Sequence, residues 1–259
     1  MRLCANISML FTELPLAERV GAAAQAGFDG VEVQFPTISD VAPLRDASEA
    51  AGIPIVLINV PRGLGDAVGL AALPGQEQAF RTAVEICGSQ CLTLGVHKVN
   101  VLAGRPPPEA ARDACRKVLA RNLQMAADLL GGLGVRVMVE PVNPHDVPGF
   151  FLDGLTPALD LLSDLDHPNL ALQFDLYHMS INEPDLVAAI RRAGARIGHV
   201  QFADTPGRHE PGSGSVDFAA ALGALEEIGY RGEISAEYHP RGRTQEGLGW
   251  MAAFREMMA

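Results

Sequence analysis

Four apolar runs in the second half of the chain close on side chains that offer oxygen: VRVMVE at Val135–Glu140, NLALQFD at Asn169–Asp175, IGHVQF at Ile197–Phe202 and GEISAE at Gly232–Glu237. They place Glu140, Asp175 and Glu237 at the ends of the runs and Gln201 one residue before an end. A carboxylate that closes a buried apolar strand is costly to desolvate unless it is paired or holds a cation. Three of them around one mouth would repel one another strongly without a metal. Glu140, Asp175, Gln201 and Glu237 offer only oxygen, and a hard divalent cation, Mg²⁺ or Mn²⁺, suits that set better than zinc does.

This chemistry requires the four runs to be parallel strands that end on one side. Short stretches rich in Val, Ile, Leu and Phe alternate with longer amphipathic segments eight times, as parallel strands joined by helical crossovers do. The pattern predicts strands over Leu3–Ile7, Gly30–Gln34, Ile55–Asn59, Lys98–Leu102, Val135–Glu140, Leu170–Asp175, Ile197–Phe202 and Glu233–Glu237, each nearly continuously apolar as a strand covered on both faces must be. It predicts helices over Leu16–Ala26, Val41–Ala51, Gln76–Leu94, Pro108–Leu130, Pro157–Leu165, Asp185–Arg192, Leu222–Ile228 and Thr244–Met258. Three of these close on glycine, at Gly27, Gly52 and Gly229, and Thr156 and Asp217 are expected as N-caps. With 259 residues, eight units and no linker-like stretch, each unit has about 32 residues. A single (β/α)₈ TIM barrel over residues 1–259 is the expected fold, and active sites of such barrels form at the C-terminal strand ends.

Composition narrows the partners. The chain is 48% hydrophobic and 20% charged, which excludes wholesale disorder. Its net charge of −11 repels phosphate backbones and anionic bilayers, so neither nucleic acid nor membrane is expected as a partner. No run approaches a membrane span and the start, MRLCANISML, lacks a secretory pattern, which predicts a cytoplasmic protein. Cys87 and Cys91, four apart in a helical pattern, read as reduced core residues, and Trp250 as packing. His97, His167 and His199 read as structural, whereas His145, His209 and His239 follow strands and are candidates to support the carboxylates. Asn6 and Asn59 close strands and are candidates to reach the mouth. Pro61–Gly75 is too glycine-rich for a helix and is a candidate substrate lid.

The segments ANISMLF, GFDGVEVQFP, LPGQEQAF, EPVNPHDVPGFFL, QFDLYHM, GHVQFADTPGRHEPGSGSVDF, AEYHP and EGLGWM, in this order along nearly the whole chain, resemble the hydroxypyruvate isomerase family within the xylose-isomerase-like sugar isomerase barrels. The resemblance implies one Mg²⁺ or Mn²⁺ and interconversion of hydroxypyruvate with tartronate semialdehyde. It places the metal ligands on Glu140, Asp175, Gln201 and Glu237 and proton transfer on Glu140 and Glu237. It also implies that His178 contacts a substrate oxygen and that Arg208 contacts substrate; Arg62, in the proposed lid, is a further candidate for holding the substrate carboxylate. Related ketose 3-epimerases and the related endonucleases usually carry histidine where this chain has Gln201, which favours the isomerase branch. A homo-oligomer is a further expectation from the resemblance.

The alternatives are a 2-oxo-tetronate isomerase or a ketose 3-epimerase on the same barrel and, from another class, a barrel that binds a sugar acid without catalysis. Such a binder is expected to lose one of the two glutamates, and both are present. An apurinic-site nuclease would need more metal-binding histidines and a basic face.

Overall fold

The computed structural model describes residues 1–258. Among them, the strands β1 (Arg2–Asn6), β2 (Gly30–Val33), β3 (Ile55–Asn59), β4 (Lys98–Val101), β5 (Arg136–Val139), β6 (Leu170–Asp175), β7 (Ile197–Phe202) and β8 (Glu233–Ala236) pair in chain order. Every pairing is parallel, and β8 closes on β1 from Arg2 opposite Glu233 to Ala5 opposite Ala236. The chain is thus a single closed (β/α)₈ barrel.

The surrounding helices are α1 (Glu18–Gln25), α2 (Val41–Ala51), α3 (Glu77–Leu94), α4 (Arg112–Gly131), α5 (Leu155–Leu165), α6 (Leu176–Asn182), α7 (Leu186–Ala193), α8 (Phe218–Glu227) and α9 (Met251–Met257). Gly27, Gly52 and Gly229 all take positive φ, at 93°, 69° and 77°, as the expected helix stops require. Asp217 caps α8 by accepting from the Ala220 N–H at 2.9 Å, so that helix begins at Phe218, four residues before the predicted start. Thr156 is not an N-cap: α5 begins at Leu155 and its flanking residue is Gly154 in extended backbone. Helix α4 begins at Arg112, after the Pro106–Pro108 run and an extended Ala111. Helix α6 was not expected; it follows β6 without a loop.

The main hydrophobic cluster lies between strands and helices, with Cys87 and Cys91 inside it as free thiols. Trp250 packs edge-on against Phe202, Phe254 and Tyr238 and donates its indole N–H to the Tyr238 hydroxyl at 3.2 Å, which makes it a packing residue as expected. A separate small cluster of Cys4, Val56, Leu57, Met138 and Ala171 comes from β1, β3, β5 and β6. Gly198 of β7 abuts it closely: a Cβ there would lie 2.6 Å from the Ala171 Cβ and 2.7 Å from the Met138 sulfur. No helix among the described residues is long and apolar enough to cross a membrane.

At the start of the strands, Glu233 of β8 receives both Lys98 of β4 and Arg2 of β1, and Lys98 also donates to the Gly198 carbonyl of β7 at 2.9 Å. One carboxylate thereby ties the closing seam to the opposite wall. Burial pushes Glu233 up, but the hydrogen bond and charge of Lys98, with Arg2, outweigh it and hold the carboxyl at about 2.

Two predictions follow from this packing. Gly198→Ala overfills the inner cluster and should lower unfolding free energy by about 1–3 kcal/mol in urea titration; an unchanged midpoint would contradict the close approach. A carboxyl depressed in the folded state adds stability above its unfolded value of about 4.3 and loses it as pH falls through about 2. The gap in urea midpoint between wild type and Glu233→Gln should therefore be full at pH 7 and shrink as pH drops from about 4 toward 2; a gap independent of pH would remove the ion pair as its source.

Candidate active site

Alternation along the strands brings polar side chains to the inside of the barrel, and the carboxylates at the C-terminal ends meet there. Asp175, the last residue of β6, accepts from the Tyr177 N–H at 2.9 Å and so caps α6. The helix starts at once and brings His178, three residues on, back over the same mouth: its Nε2 lies 3.6 Å from Asp175 Oδ2 and 3.9 Å from Glu140 Oε1. Glu140 directly follows β5 and Glu237 directly follows β8; both are buried, as is Asp175. One ligand atom each from Glu140, Asp175 and His178 lies within 4.8 Å of the others.

The two glutamates are held in the same way. Glu140 Oε2 accepts from the amides of Asn100 (2.6 Å) and Gln173 (3.1 Å), which leaves Oε1 on the side of His178. Glu237 Oε1 accepts from the amides of Asn6 (2.8 Å) and Gln34 (2.7 Å), which leaves Oε2 toward Arg208. Each carboxylate thus has one oxygen anchored by two N–H donors and one oxygen directed away from them.

A fourth buried carboxylate, Glu32 of β2, connects these anchors. Its Oε1 accepts from Asn6 (3.1 Å) and from Gln201 Nε2 (2.7 Å), and its Oε2 lies 2.9 Å from His199 Nε2. Gln201 Oε1 accepts in turn from Gln173 Nε2 at 2.7 Å. One amide, Asn6, therefore links Glu32 to Glu237, and two amides, Gln201 and Gln173, link it to Glu140.

So much buried negative charge raises the carboxyls. Burial, then Glu237 and Asp175, push Glu140 well above the usual carboxylate range. Burial lifts Glu237 to about 8 and Asp175 to about 6, in both cases against the pull of Arg208. Arg208 Nη2 contacts Glu237 Oε2 at 2.5 Å and Asp175 Oδ2 at 3.2 Å, and its guanidinium lies over the Tyr177 ring, 5.0 Å from the centroid. Its backbone is in the left-handed region, at φ 56°. The loop that carries it is wound around buried Asp204, whose two oxygens accept the N–H groups of Thr205, Gly212, Gly214 and Val216 at 2.8–3.0 Å.

Burial and then Arg208 push His178 well below its ordinary value, which favours its neutral form. Its tautomer follows from its neighbour: the Asn143 Oδ1 accepts from the Asp146 N–H at 2.8 Å, so the Asn143 Nδ2 faces His178 Nδ1 at 2.7 Å as donor. Nδ1 is then the acceptor, and the ring N–H sits on Nε2, facing the carboxylates.

A cavity of about 220 Å³ opens above this group, lined by Glu140, His178, Arg208 and Glu237 together with Asn59, Arg62 and the apolar Val142 and Phe150. A larger groove of about 640 Å³ lies between α1 and α2 on the barrel exterior, but its lining is mostly alanine and it holds none of these groups. Of the residues singled out from sequence, Glu140, Asp175, Glu237, His178 and Arg208 converge, Arg62 stands on the rim, and Gln201 lies in the amide chain beneath. Asn6 reaches Glu237 and Asn59 lines the cavity. His145 pairs with Asp146 and His209 with the His239 carbonyl, not with the site carboxylates. In the Pro61–Gly75 loop, Ala71 and Ala72 are fully buried, while Arg62–Asp66 is exposed.

Sequence reasoning missed Glu32, Gln34, Asn100 and Gln173. Their signal was the alternation of polar residues inside strands read as continuously apolar: Glu32 and Gln34 in GVEVQ, Asn100 in KVNV and Gln173 in LALQFD.

Comparison with known proteins agrees with this geometry. The family model described as xylose isomerase-like TIM barrel matches residues 20–254. The hydroxypyruvate isomerase of Escherichia coli (strain K12) is 36% identical over 98% of this chain and all of its own length. A 2-oxo-tetronate isomerase of Cupriavidus necator is 37% identical over 98% of each chain. Among solved structures, a Brucella melitensis protein described as an AP endonuclease of family 2 superposes with a TM-score of 0.94 at 38% identity, covering 98% of both chains. With its closed barrel, its buried acidic mouth and full-length likeness to isomerases, the chain belongs to the xylose isomerase-like TIM barrel family, among its hydroxypyruvate isomerase-like enzymes.

Proposed function

We propose that this protein interconverts hydroxypyruvate and tartronate semialdehyde by proton transfer through an enediolate. The observation that carries this reading is the matched pair of glutamates, Glu140 and Glu237, each buried at the end of its strand, lining one cavity, and anchored through one oxygen by two amide donors so that the other oxygen is directed away from them.

The donor set fits a divalent cation. Three buried carboxylates face a single guanidinium, an excess of negative charge that a dication offsets, and the ligand atoms are mainly hard oxygens. Glu140, Asp175, Glu237 and the amide oxygen of Gln201, which keeps a second lone pair beside its bond to Gln173, would hold Mg²⁺ or Mn²⁺. When bound, such an ion supplies Lewis-acid polarisation of the substrate's adjacent carbonyl and hydroxyl oxygens.

The chain's own residues do the rest. One glutamate removes a proton from C3 of hydroxypyruvate, and the electron pair of that C–H bond forms the C2–C3 double bond of the enediolate. The other glutamate delivers a proton to C2, where the electron pair of the double bond forms the new C–H bond, while the proton of the C3 hydroxyl passes to the C2 oxygen; C3 becomes the aldehyde and C2 the alcohol carbon, so atoms and electrons balance without an external oxidant or reductant. His178, a neutral Nε2–H donor, binds a substrate oxygen, and Arg208 and Arg62 bring positive charge to an acidic mouth that receives an anion. A 2-oxo-tetronate, one carbon longer, is the second reading, favoured by the Cupriavidus relative and served by the same steps.

The test is deuterium exchange at C3 of hydroxypyruvate in D₂O with Mg²⁺ or Mn²⁺, alongside isomerisation. Glu140→Gln and Glu237→Gln should each lower isomerisation by about 10²- to 10⁴-fold, and the variant that also loses exchange identifies the base. A wild type that exchanges no small keto acid would refute the isomerase reading, and full activity in both variants would refute the glutamate pair.

A further inference from the structure

We propose that Arg62, whose guanidinium lies over the Phe35 ring, is the group that reads the substrate carboxylate and confines the site to short keto acids in preference to uncharged ketoses. This rests on the enediolate reading above and assigns its substrate class.

Two arginines line the cavity, and they are differently placed. Arg208 is committed to Asp175 and Glu237, with the Tyr177 ring beneath it. Three site carboxylates face that one guanidinium, and even with a divalent ion added they would be no more than offset, so a substrate carboxylate brings a further negative charge into the mouth. Arg62 is the cation left to meet it. Its guanidinium lies over the Phe35 ring, 5.2 Å from the centroid, and it pairs with no carboxylate among the described residues. Stacking leaves the N–H edge of a guanidinium open, and that edge matches a planar carboxylate in a two-bond contact that an ammonium cannot reproduce.

Both partners are held from behind. Phe35 directly follows Gln34, whose amide is bonded to Glu237 at 2.7 Å. The Arg62 carbonyl accepts from the Gly69 N–H at 3.1 Å, and Gly69 bridges Ala103 at the end of β4. The approach is so close that a Cβ on Gly69, at φ 132°, would lie 2.4 Å from the Leu102 carbonyl oxygen, and one on Gly104 would lie 2.2 Å from the Gly69 oxygen. Downstream, Ala72 donates to the Ala103 carbonyl at 2.7 Å and the Asn122 amide donates to the Ala71 carbonyl at 2.9 Å. Arg62 is therefore the first residue of the exposed stretch, tied at its carbonyl to Gly69, and it lines the cavity before any substrate arrives.

Hydroxypyruvate and dihydroxyacetone share the keto-alcohol unit and differ in carboxylate against hydroxymethyl, so the pair isolates the charge. Kinetics on both, in wild type, Arg62→Ala, Arg62→Lys and Phe35→Leu, are to be joined to calorimetric binding of tartronate, which needs no turnover. Arg62→Ala should raise the KM for hydroxypyruvate and the Kd for tartronate by about 10- to 100-fold, with kcat within about threefold. The preference for hydroxypyruvate over dihydroxyacetone should collapse by the same factor. Arg62→Lys should recover only part of the loss, and Phe35→Leu should weaken tartronate several-fold at an unchanged urea midpoint. A KM and Kd within twofold of wild type in Arg62→Ala, or a wild type that does not bind tartronate, overturns the assignment. If wild type binds tartronate through Arg62 yet exchanges no keto acid, the carboxylate reader stands and the isomerase reading falls.

Discussion

Four carboxylates buried inside one barrel, Glu32, Glu140, Asp175 and Glu237, are the constraint to which the rest of the interior answers. An uncompensated buried charge is among the most expensive features a fold can carry. Here each is met by named groups: Glu32 by two amides and His199, Glu140 by two amides, Asp175 by a helix N-terminus and Arg208, Glu237 by two amides and Arg208. What those contacts leave unbalanced at the mouth is what the proposed divalent ion would offset. The barrel makes this tolerable because its other layers are conventional, with a small apolar cluster below and a continuous hydrophobic shell between strands and helices.

Positioning is shared among elements that differ in rigidity. Glu140 and Glu237 directly follow strands that pair with neighbours on both sides, which leaves them little freedom. His178 rides on a helix that starts where its strand stops, and Arg208 rides on a loop organised by a single carboxylate, Asp204. Each functional side chain thus has an independent local reason for its place. The glutamates proposed for acid–base work are the most firmly built, and the groups proposed to meet the substrate come from connections.

The architecture and the acidic mouth were legible because both depend on short-range regularities. Eight apolar runs, helix stops at Gly27, Gly52 and Gly229, and acids at the run ends need no tertiary information. Glu32 was harder to read because a lone acid in GVEV looks like an edge or surface position until the strand is known to line a closed interior. Gln201 was half legible for a similar reason: its place near a strand end suggested a ligand, and its amide also belongs to a chain that includes Gln173 of the neighbouring strand, a partner invisible along the sequence. Helix boundaries missed where side-chain caps and proline geometry, rather than hydrophobic period, set them, as at Asp217 and Ala111.

The amide chain between Glu32 and Glu140 has a property that no single member has. A primary amide donates at one end and accepts at the other, so two in series can satisfy their neighbours in only one sense. Glu32, whose Oε1 accepts from Gln201, fixes that sense: Gln201 turns its nitrogen down, Gln173 must then present nitrogen to it, and the same nitrogen reaches Glu140. Inverting either amide would set like ends against each other. The chain therefore has a built-in polarity, and the orientation of a donor at Glu140 is inherited from a carboxylate on a strand across the barrel.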